Sequence, residues 1–216
     1  MAQSYRLESH LPCMLNRLHR TIFTAAPLAG LFSRTPYTPP ILSMATSDKV
    51  EVATFASGCY WGTEHIFVKH YGQKGILKTT VGFTGGDVSN PSYRLVCTGN
   101  TGHAEALRIE FDPEKVGYAE LVEFFYRTHN PTTLNRQGND SGTQYRSAIF
   151  THSPEQEKIA KEVTAEVQAK RFDPIGKRIV TTILPAGEWY PADESHQMYL
   201  FKNPNGYQCE THRLHW

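Results

Sequence analysis

Residues 52–65 read Val-Ala-Thr-Phe-Ala-Ser-Gly-Cys-Tyr-Trp-Gly-Thr-Glu-His and set the interpretation of the whole chain. An apolar run typical of a β-strand ends at Gly58, and a run typical of a helix begins just beyond it. Cys59 is therefore predicted to lie where a strand passes into a helix. The unpaired N–H groups at a helix start favour an anion, so we expect Cys59 to have a lowered pKa and a nucleophilic thiolate. The competing interpretation is that Cys59 is a small buried hydrophobe.

Composition limits the classes of protein that the chain can represent. Its 216 residues suit one domain plus extra segments, and its net charge of +1 gives no indication of a nucleic-acid partner. The sequence contains no apolar run of about eighteen residues, so we expect no membrane span. The four cysteines, Cys13, Cys59, Cys97 and Cys209, show no paired spacing typical of a disulfide framework or a zinc site. We expect a reducing compartment, one reactive thiol, no metal and a monomer.

Residues 1–47 differ in composition from the rest of the chain. This segment is rich in Ser and Thr, contains no Lys, and carries four arginines against the single acid Glu8: Arg6, Arg17, Arg20 and Arg34. Such a profile predicts an organelle transit peptide, mitochondrial or of another organelle. The alternative is a disordered tail without a targeting function. A secretory signal fits less well, because the apolar stretch 22–32 is interrupted. Initiation at Met44 would give a cytosolic form.

Strand and helix patterns alternate along the rest of the chain, which predicts one sheet covered by helices. Strands are predicted at 50–56, 75–83, 105–111, 146–150 and 177–184. Helices are predicted at 61–70, at 117–129, from Ser153 onward, and in a short stretch near 193–200. The long loop 88–102 is expected to be functional, because long ordered loops in compact domains usually are. A second polar loop, rich in Gly, Asn and Asp, is predicted at 135–145.

Glu105 stands out within its predicted strand. The period-two pattern places it on the apolar face with Leu107, Ile109 and Phe111, at the end where the loop 88–102 enters. A desolvated carboxyl has a raised pKa, so it can remain protonated near neutrality and donate a proton. The alternative is a strand-end Glu that turns out to water.

These features indicate a thiol reductant that acts on an oxidised apolar substrate. A cysteine peptidase would instead pair Cys59 with one of the histidines, and spacing selects none of His65, His103, His129 and His196. A metal site is not indicated, because the histidines form no HExxH motif.

Three motifs resemble the A-type peptide-methionine sulfoxide reductases: residues 58–64 (GCYWGTE), 101–105 (TGHAE) and 137–147 (QGNDSGTQYRS). The resemblance runs from about residue 50 to residue 209. It implies an α+β fold, a two-layer α/β sandwich with a central mixed sheet and a ferredoxin-like core, followed by a long C-terminal coil. The catalytic domain would span 48–216, with a resolving tail at about 200–216.

The resemblance also implies a role for each site residue. Cys59 attacks the sulfoxide sulfur and becomes a sulfenic acid, while Glu105 protonates the sulfoxide oxygen. The remaining matches are Tyr93 and Tyr145, which hydrogen-bond that oxygen, Asp140, which lines the pocket, and Tyr60 and Trp61, which receive the methyl group. Tyr60 stands where the family more often has Phe.

The resemblance further implies that Cys209 regenerates the thiol of Cys59. Cys209 lies in a Gly/Asn-rich segment that we expect to be flexible. A disulfide between Cys59 and Cys209 would be reduced by thioredoxin, or by dithiothreitol in vitro, without a cofactor. Cys97 matches a position that the family usually does not need for turnover. The substrates would be free methionine sulfoxide and oxidised proteins, which the enzyme repairs. The alternative is a non-enzymatic redox sensor that binds sulfoxide or methionine in the same pocket, and it would need neither Cys209 nor a protonated Glu105.

Overall fold

A computed structural model describes residues 49–216, so the predicted leader at 1–47 lies outside the described residues. The strands, in chain order, are β1 (Glu51–Ser57), β2 (Ile76–Thr84), β3 (Ala104–Phe111), β4 (Arg136–Gln137), β5 (Asp140–Ser141), β6 (Ser147–Thr151), β7 (Thr182–Pro185) and β8 (Tyr190–Pro191).

The helices are α1 (Tyr60–Tyr71), α2 (Tyr93–Cys97), α3 (Tyr118–Arg127), α4 (Pro154–Val167) and α5 (Tyr199–Lys202). Helix α4 begins as predicted, because the Ser153 side chain accepts a hydrogen bond from the Gln156 N–H at 3.1 Å and Pro154 occupies the first helical position. Over residues 49–216, no helix is both long and apolar enough to cross a membrane.

Six strands form one sheet in the order β7-β6-β1-β3-β2-β8. Strands β6 and β7 are parallel and the other neighbours are antiparallel, so the sheet is mixed. The predicted α/β architecture around a central mixed sheet is therefore confirmed. Apart from the short α2 and the β4–β5 pair, the central strands and helices follow the chain order β1-α1-β2-β3-α3-β6.

Both faces of the sheet carry buried side chains. On one face, the Phe55 ring stacks on Phe67 of α1 at 5.5 Å and on Phe125 of α3 at 5.2 Å, and all three rings are fully buried. Burial of each such ring stabilises the fold by about 1.5–3 kcal/mol. The opposite face carries a buried cluster that includes Ala56 and Ala106. That cluster also contains Phe150, against which Trp189 packs. Because Phe55 pairs with Leu107, the face that packs on α1 and α3 is the one that carries Glu105.

Several predicted elements differ from the structure. The strand predicted at 177–184 is restricted to β7, since its partner β6 begins only at Ser147 and residues further upstream have no strand to pair with. The loop 88–102 contains α2, which Ser92 caps, and the loop 135–145 contains the β4–β5 pair. The short helix expected near 193–200 begins later, as α5.

The C-terminal tail, residues 203–216, is a coil as expected, but it is docked rather than flexible. Cys209 is only 2% exposed and His212 only 4%. At the end of the chain, the Arg127 Nε and Nη2 atoms donate to the Trp216 carbonyl at 2.9 and 2.7 Å, and the Arg171 guanidinium lies 5.2 Å from the Trp216 ring centroid. The expectation of flexibility was wrong because these contacts join residues distant in sequence.

Candidate active site

Cys59 lies at the predicted junction. β1 ends at Ser57 and α1 begins at Tyr60, so Cys59 is the N-cap residue of the helix. The turn depends on Gly58, whose φ of +96° is a conformation that other residues rarely adopt. A Cβ atom at Gly58 would also lie 2.6 Å from the Gln137 side chain. The backbone thus turns sharply here and presents Cys59 at the helix start.

The expected low pKa of Cys59 is wrong for the substrate-free site. Burial, followed by the nearby Glu105 and Asp140 carboxyls, holds the pKa of the Cys59 thiol well above its ordinary value. The N–H groups of Trp61 and Gly62 act in the opposite direction, as expected at a helix start, but they do not outweigh desolvation. Helix position alone is therefore insufficient to ionise a thiol that is 5% exposed.

Glu105 is buried beside this thiol, so the alternative of a carboxyl turned to water is wrong. The side chain is 2% exposed, and its Oε2 accepts a hydrogen bond from the Tyr60 N–H at 3.2 Å. Burial raises the pKa of Glu105 to about 8; the Tyr60 N–H lowers it and Asp140 raises it further. This raised pKa agrees with the expectation that Glu105 holds a proton near neutrality.

The loop 135–145 adds two groups to the same site. Tyr145 is 2% exposed, and burial followed by Glu105 and Cys59 raises the pKa of its hydroxyl. Asp140 is fully buried and accepts a hydrogen bond from the Tyr207 hydroxyl at 3.1 Å. Burial raises the pKa of Asp140 to about 6. At pH 7 these pKa values give a charged carboxylate at Asp140 and a neutral carboxylic acid at Glu105.

Tyr60 and Trp61, the aromatic pair of the predicted site, follow Cys59 in the first turn of α1. Both are almost completely buried, at 1% and 2% exposed. The Trp61 ring stacks on Tyr199 with a centroid distance of 3.8 Å, and the Tyr60 ring lies 5.9 Å from Phe83. These side chains bring apolar surface directly beside Cys59.

His196 belongs to this aromatic group, although the sequence indicated it only as one of several peptidase candidates. Its Nδ1 lies 3.2 Å from Trp61 Nε1 and 2.9 Å from the Tyr60 hydroxyl. Because an indole nitrogen can only donate, Nδ1 is an acceptor and the Tyr60 hydroxyl donates to it as well. The Tyr93 ring centroid lies 4.6 Å from that of His196, which brings Tyr93 to the same aromatic group.

Two neighbouring residues place His196. The Gln197 amide bonds both the Val81 N–H at 2.8 Å and the Val81 carbonyl at 2.9 Å, and Glu64 accepts a hydrogen bond from the Met198 N–H at 2.6 Å. These bonds join positions more than 100 residues apart. No local pattern around His196 could have revealed its partners.

Two of the other histidines have structural roles. His129 is buried, and its ring nitrogens lie 2.7 Å from the Phe125 carbonyl and 2.7 Å from the Ser147 hydroxyl. The His103 nitrogens bond the Gly86 N–H and the Val88 carbonyl. Neither ring has a nitrogen left to activate Cys59. In the part of the chain that the structure describes, no cluster of three or more His, Cys, Asp or Glu side chains could hold a metal ion.

Cys209 is brought to the same region by the docked tail. Its Sγ lies 3.5 Å from the Gln137 carbonyl and 3.2 Å from Thr211 Oγ1, and both Cys59 and Cys209 are free thiols. Asp140 contributes to the raised pKa of each thiol. The Gln137 side chain in turn lies against Gly58, next to Cys59. Every predicted site residue therefore falls in one connected region of the structure.

Comparison with known proteins agrees with this geometry. Residues 51–215 match the model of a family described as peptide methionine sulfoxide reductase. The chain belongs to this family. The predicted resemblance is thus confirmed, and the protein is an oxidoreductase of the peptide methionine sulfoxide reductase family.

Individual members of the family are similar over most of the chain. A probable peptide methionine sulfoxide reductase from Schizosaccharomyces pombe is 53% identical over 168 residues, covering 77% of this chain and 98% of the relative. The enzyme MsrA from Methanothermobacter thermautotrophicus is 49% identical over 174 residues, covering 79% of this chain and 98% of the relative.

Solved structures of the family share the fold. The reduced form of Mxr1 from Saccharomyces cerevisiae has a TM-score of 0.72 and 41% sequence identity, covering 86% of this chain and 99% of Mxr1. Mxr1 has also been solved in complex with Trx2, and that structure has a TM-score of 0.53 and 29% identity over 83% of this chain and 94% of Mxr1.

Proposed function

We propose that the chain reduces methionine S-sulfoxide, free and within proteins, to methionine, and that its catalytic domain spans residues 48–216. The observation that carries the proposal is the buried carboxyl of Glu105, whose pKa is raised to about 8, beside the thiol of Cys59 and next to the aromatic rings of Tyr60 and Trp61. A sulfoxide has a polar oxygen and apolar substituents on one sulfur atom. The site offers a proton donor for the oxygen and aromatic surface for the methyl group.

In the first step, Cys59 attacks the sulfoxide sulfur while Glu105 gives its proton to the oxygen. Transfer of that oxygen from the substrate sulfur to the Cys59 sulfur yields a sulfenic acid and releases methionine. The thiol proton of Cys59 returns Glu105 to its acid form, so atoms and charge balance. Protonation of Glu105 also removes one of the charges that hold the Cys59 proton in place, which couples the two groups.

Tyr93 and Tyr145 are proposed to donate hydrogen bonds to the sulfoxide oxygen. Tyr145 is buried and electrostatically coupled to Cys59 and Glu105, which supports a neutral hydroxyl within reach of the reacting atoms. Donors that are already oriented toward the developing charge stabilise it without reorganisation. Asp140 lines the same pocket beside Glu105.

The Tyr60 hydroxyl already has a hydrogen-bond partner, His196, so it is not an unpaired polar group in the site. Its hydrogen bond to Nδ1, at 2.9 Å, satisfies the polar end of the ring, so the rest of the ring still offers apolar surface for the methyl group. This arrangement supports retention of methyl binding despite the tyrosine.

Regeneration is proposed to proceed through Cys209. Its thiol attacks the sulfenic sulfur of Cys59, the S–S bond forms, and the hydroxyl leaves as water with the Cys209 proton. A thioredoxin dithiol then reduces the disulfide by exchange. The solved complex of the related Mxr1 with Trx2 supports a thioredoxin as this reductant. The cycle needs no cofactor beyond that dithiol.

The Arg-rich leader supports a further proposal about location. Residues 1–47 would direct the chain to mitochondria or another organelle, and initiation at Met44 would give a cytosolic form.

Mass spectrometry after one equivalent of methionine S-sulfoxide, without reductant, tests the proposed function. We expect one equivalent of methionine and a protein lighter by two hydrogen atoms, with the disulfide mapped to Cys59 and Cys209. The R-sulfoxide serves as the control substrate and should leave the protein unchanged. An unreacted protein with bound S-sulfoxide would instead support the non-enzymatic sensor.

A further inference from the structure

The side chain of His212 joins the C-terminal tail to the loop that carries Cys59. Its Nε2 lies 2.8 Å from the Ser57 carbonyl oxygen, and the ring is 4% exposed. A carbonyl can only accept, so Nε2 carries the proton and donates it. The bond therefore ties the tail to the backbone two residues before the nucleophile.

Helix α1 leaves space for this ring at Gly62. A Cβ atom at Gly62 would lie 2.0 Å from His212 Nδ1 and 2.8 Å from its Cγ, so any side chain at this position would displace the imidazole. Gly62 is in the first turn of the helix that begins after Cys59. The imidazole thus packs directly on the turn that presents the nucleophile.

His212 and Cys209 form one compact turn. The His212 N–H donates to the Cys209 carbonyl at 3.1 Å, while Cys209 Sγ contacts the Gln137 carbonyl at 3.5 Å. Burial lowers the pKa of His212 to about 4, against the opposing effect of the Ser57 carbonyl. The imidazole is neutral at physiological pH, so the bond to Ser57 persists under the conditions of turnover.

We propose that His212 is a positioning residue for regeneration: it holds Cys209 against the Cys59 loop, so that the thiol attacks the sulfenic acid without a search by a free tail. The inference rests on the proposed function. In the step, the Cys209 sulfur is oxidised and the Cys59 sulfur is reduced as the S–S bond forms, the S–O bond breaks, and water leaves. Prior positioning raises the effective concentration of one reactant near the other, which accelerates the step without changing its chemistry.

Two amide variants that differ by one methylene group test this role. In His212→Gln, the amide nitrogen can occupy the position of Nε2 and donate to Ser57, whereas the amide of His212→Asn is too short. His215→Asn is the matched control, because His215 is exposed and its side chain bonds within the tail, to the Thr211 carbonyl at 2.9 Å, while its backbone N–H bond to the Arg127 carbonyl does not depend on the side chain. Rapid quenching of a single turnover measures two rate constants in each protein, for methionine release and for disulfide formation.

We expect His212→Asn to release methionine within about twofold of the wild-type rate but to form the disulfide at least about tenfold more slowly. His212→Gln should recover disulfide formation to within about threefold, and His215→Asn should match the wild type. Sulfenic acid trapped by dimedone should accumulate only in His212→Asn.

Disulfide formation at the wild-type rate in His212→Asn would overturn the inference. Equal slowing of both steps, or no recovery in His212→Gln, would also overturn it, because a general structural defect does not select the second step. The proposed function fails separately, if the wild-type protein itself releases no methionine.

Discussion

Replacement of Glu105 by Gln isolates the proton-donor role from the shape of the site. The amide has nearly the same volume as the carboxyl, and its oxygen can still accept the hydrogen bond from the Tyr60 N–H. With a pKa of about 8, Glu105 is about nine-tenths protonated at pH 7, so the wild-type donor is almost fully loaded. An amide cannot supply that proton, and loss of a general acid slows a step by about 10²–10⁴.

The assay is a single turnover at pH 7, in which quenched samples give the rate constant for methionine release. We expect Glu105→Gln to reduce this rate constant by a factor of about 10²–10⁴, with little change in sulfoxide affinity. The wild-type rate constant should decline above pH 8 as Glu105 loses its proton, and the variant should lack that decline. Glu110→Gln is the matched control, since Glu110 lies on the same strand but pairs with Lys78 at the surface, at 3.4 Å.

The same substitution has a predictable effect on stability. Folding raises the pKa of Glu105 from 4.5 to about 8. The contribution of this group to the free energy of unfolding is therefore complete below pH 4.5 and is lost as the pH rises to 8. The shift of about 3.5, at about 1.4 kcal/mol per unit, is at most on the order of 5 kcal/mol. The wild type should therefore lose stability as the pH rises from 5 to 8, whereas Glu105→Gln should not. The free energy of unfolding of the variant, minus that of the wild type, should increase over this range.

Two outcomes would contradict this reasoning. If only the affinity for sulfoxide changes in Glu105→Gln, the carboxyl is structural. If the difference in melting temperature between Glu105→Gln and the wild type is constant from pH 5 to pH 8, Glu105 does not carry the proton that the site geometry gives it.

Three further changes to the chain test the two thiols and the leader. Cys59→Ser should abolish reduction even with excess dithiothreitol, because a hydroxyl cannot replace the thiolate; activity within about tenfold of wild type would remove Cys59 as the nucleophile. Cys209→Ser should still release about one equivalent of methionine, then stop with thioredoxin but continue with dithiothreitol, which reduces a sulfenic acid directly; unimpaired turnover with thioredoxin would assign the resolving role to another thiol. A chain that starts at Met44 should retain activity with dithiothreitol, and a reporter fused to residues 1–47 should enter an organelle; a cytosolic reporter would refute the targeting hypothesis.

Local patterns in the sequence singled out Cys59 and Glu105, the proposed nucleophile and its acid. The change from strand to helix at Gly58 depends on neighbouring residues alone, and the structure has Cys59 at that junction. Alternation along β3 likewise required only the sequence of one strand to assign Glu105 to the apolar face. The electrostatic state of Cys59 did not follow, because the helix start that the sequence indicates competes with burial and with carboxyls that approach from other segments.

What the sequence by itself determined was the order of the elements, the motifs that mark the family, and the position of the thiol and the carboxyl that are proposed to react. Tertiary structure alone decided that His196 ties together Tyr60 and Trp61, and that the tail docks through His212 instead of remaining free. The physical reason is sequence separation: periodicity and turn propensity act over a few residues, whereas these hydrogen bonds join groups 135 to 155 positions apart. Such pairs come together only when the sheet and its helices have packed.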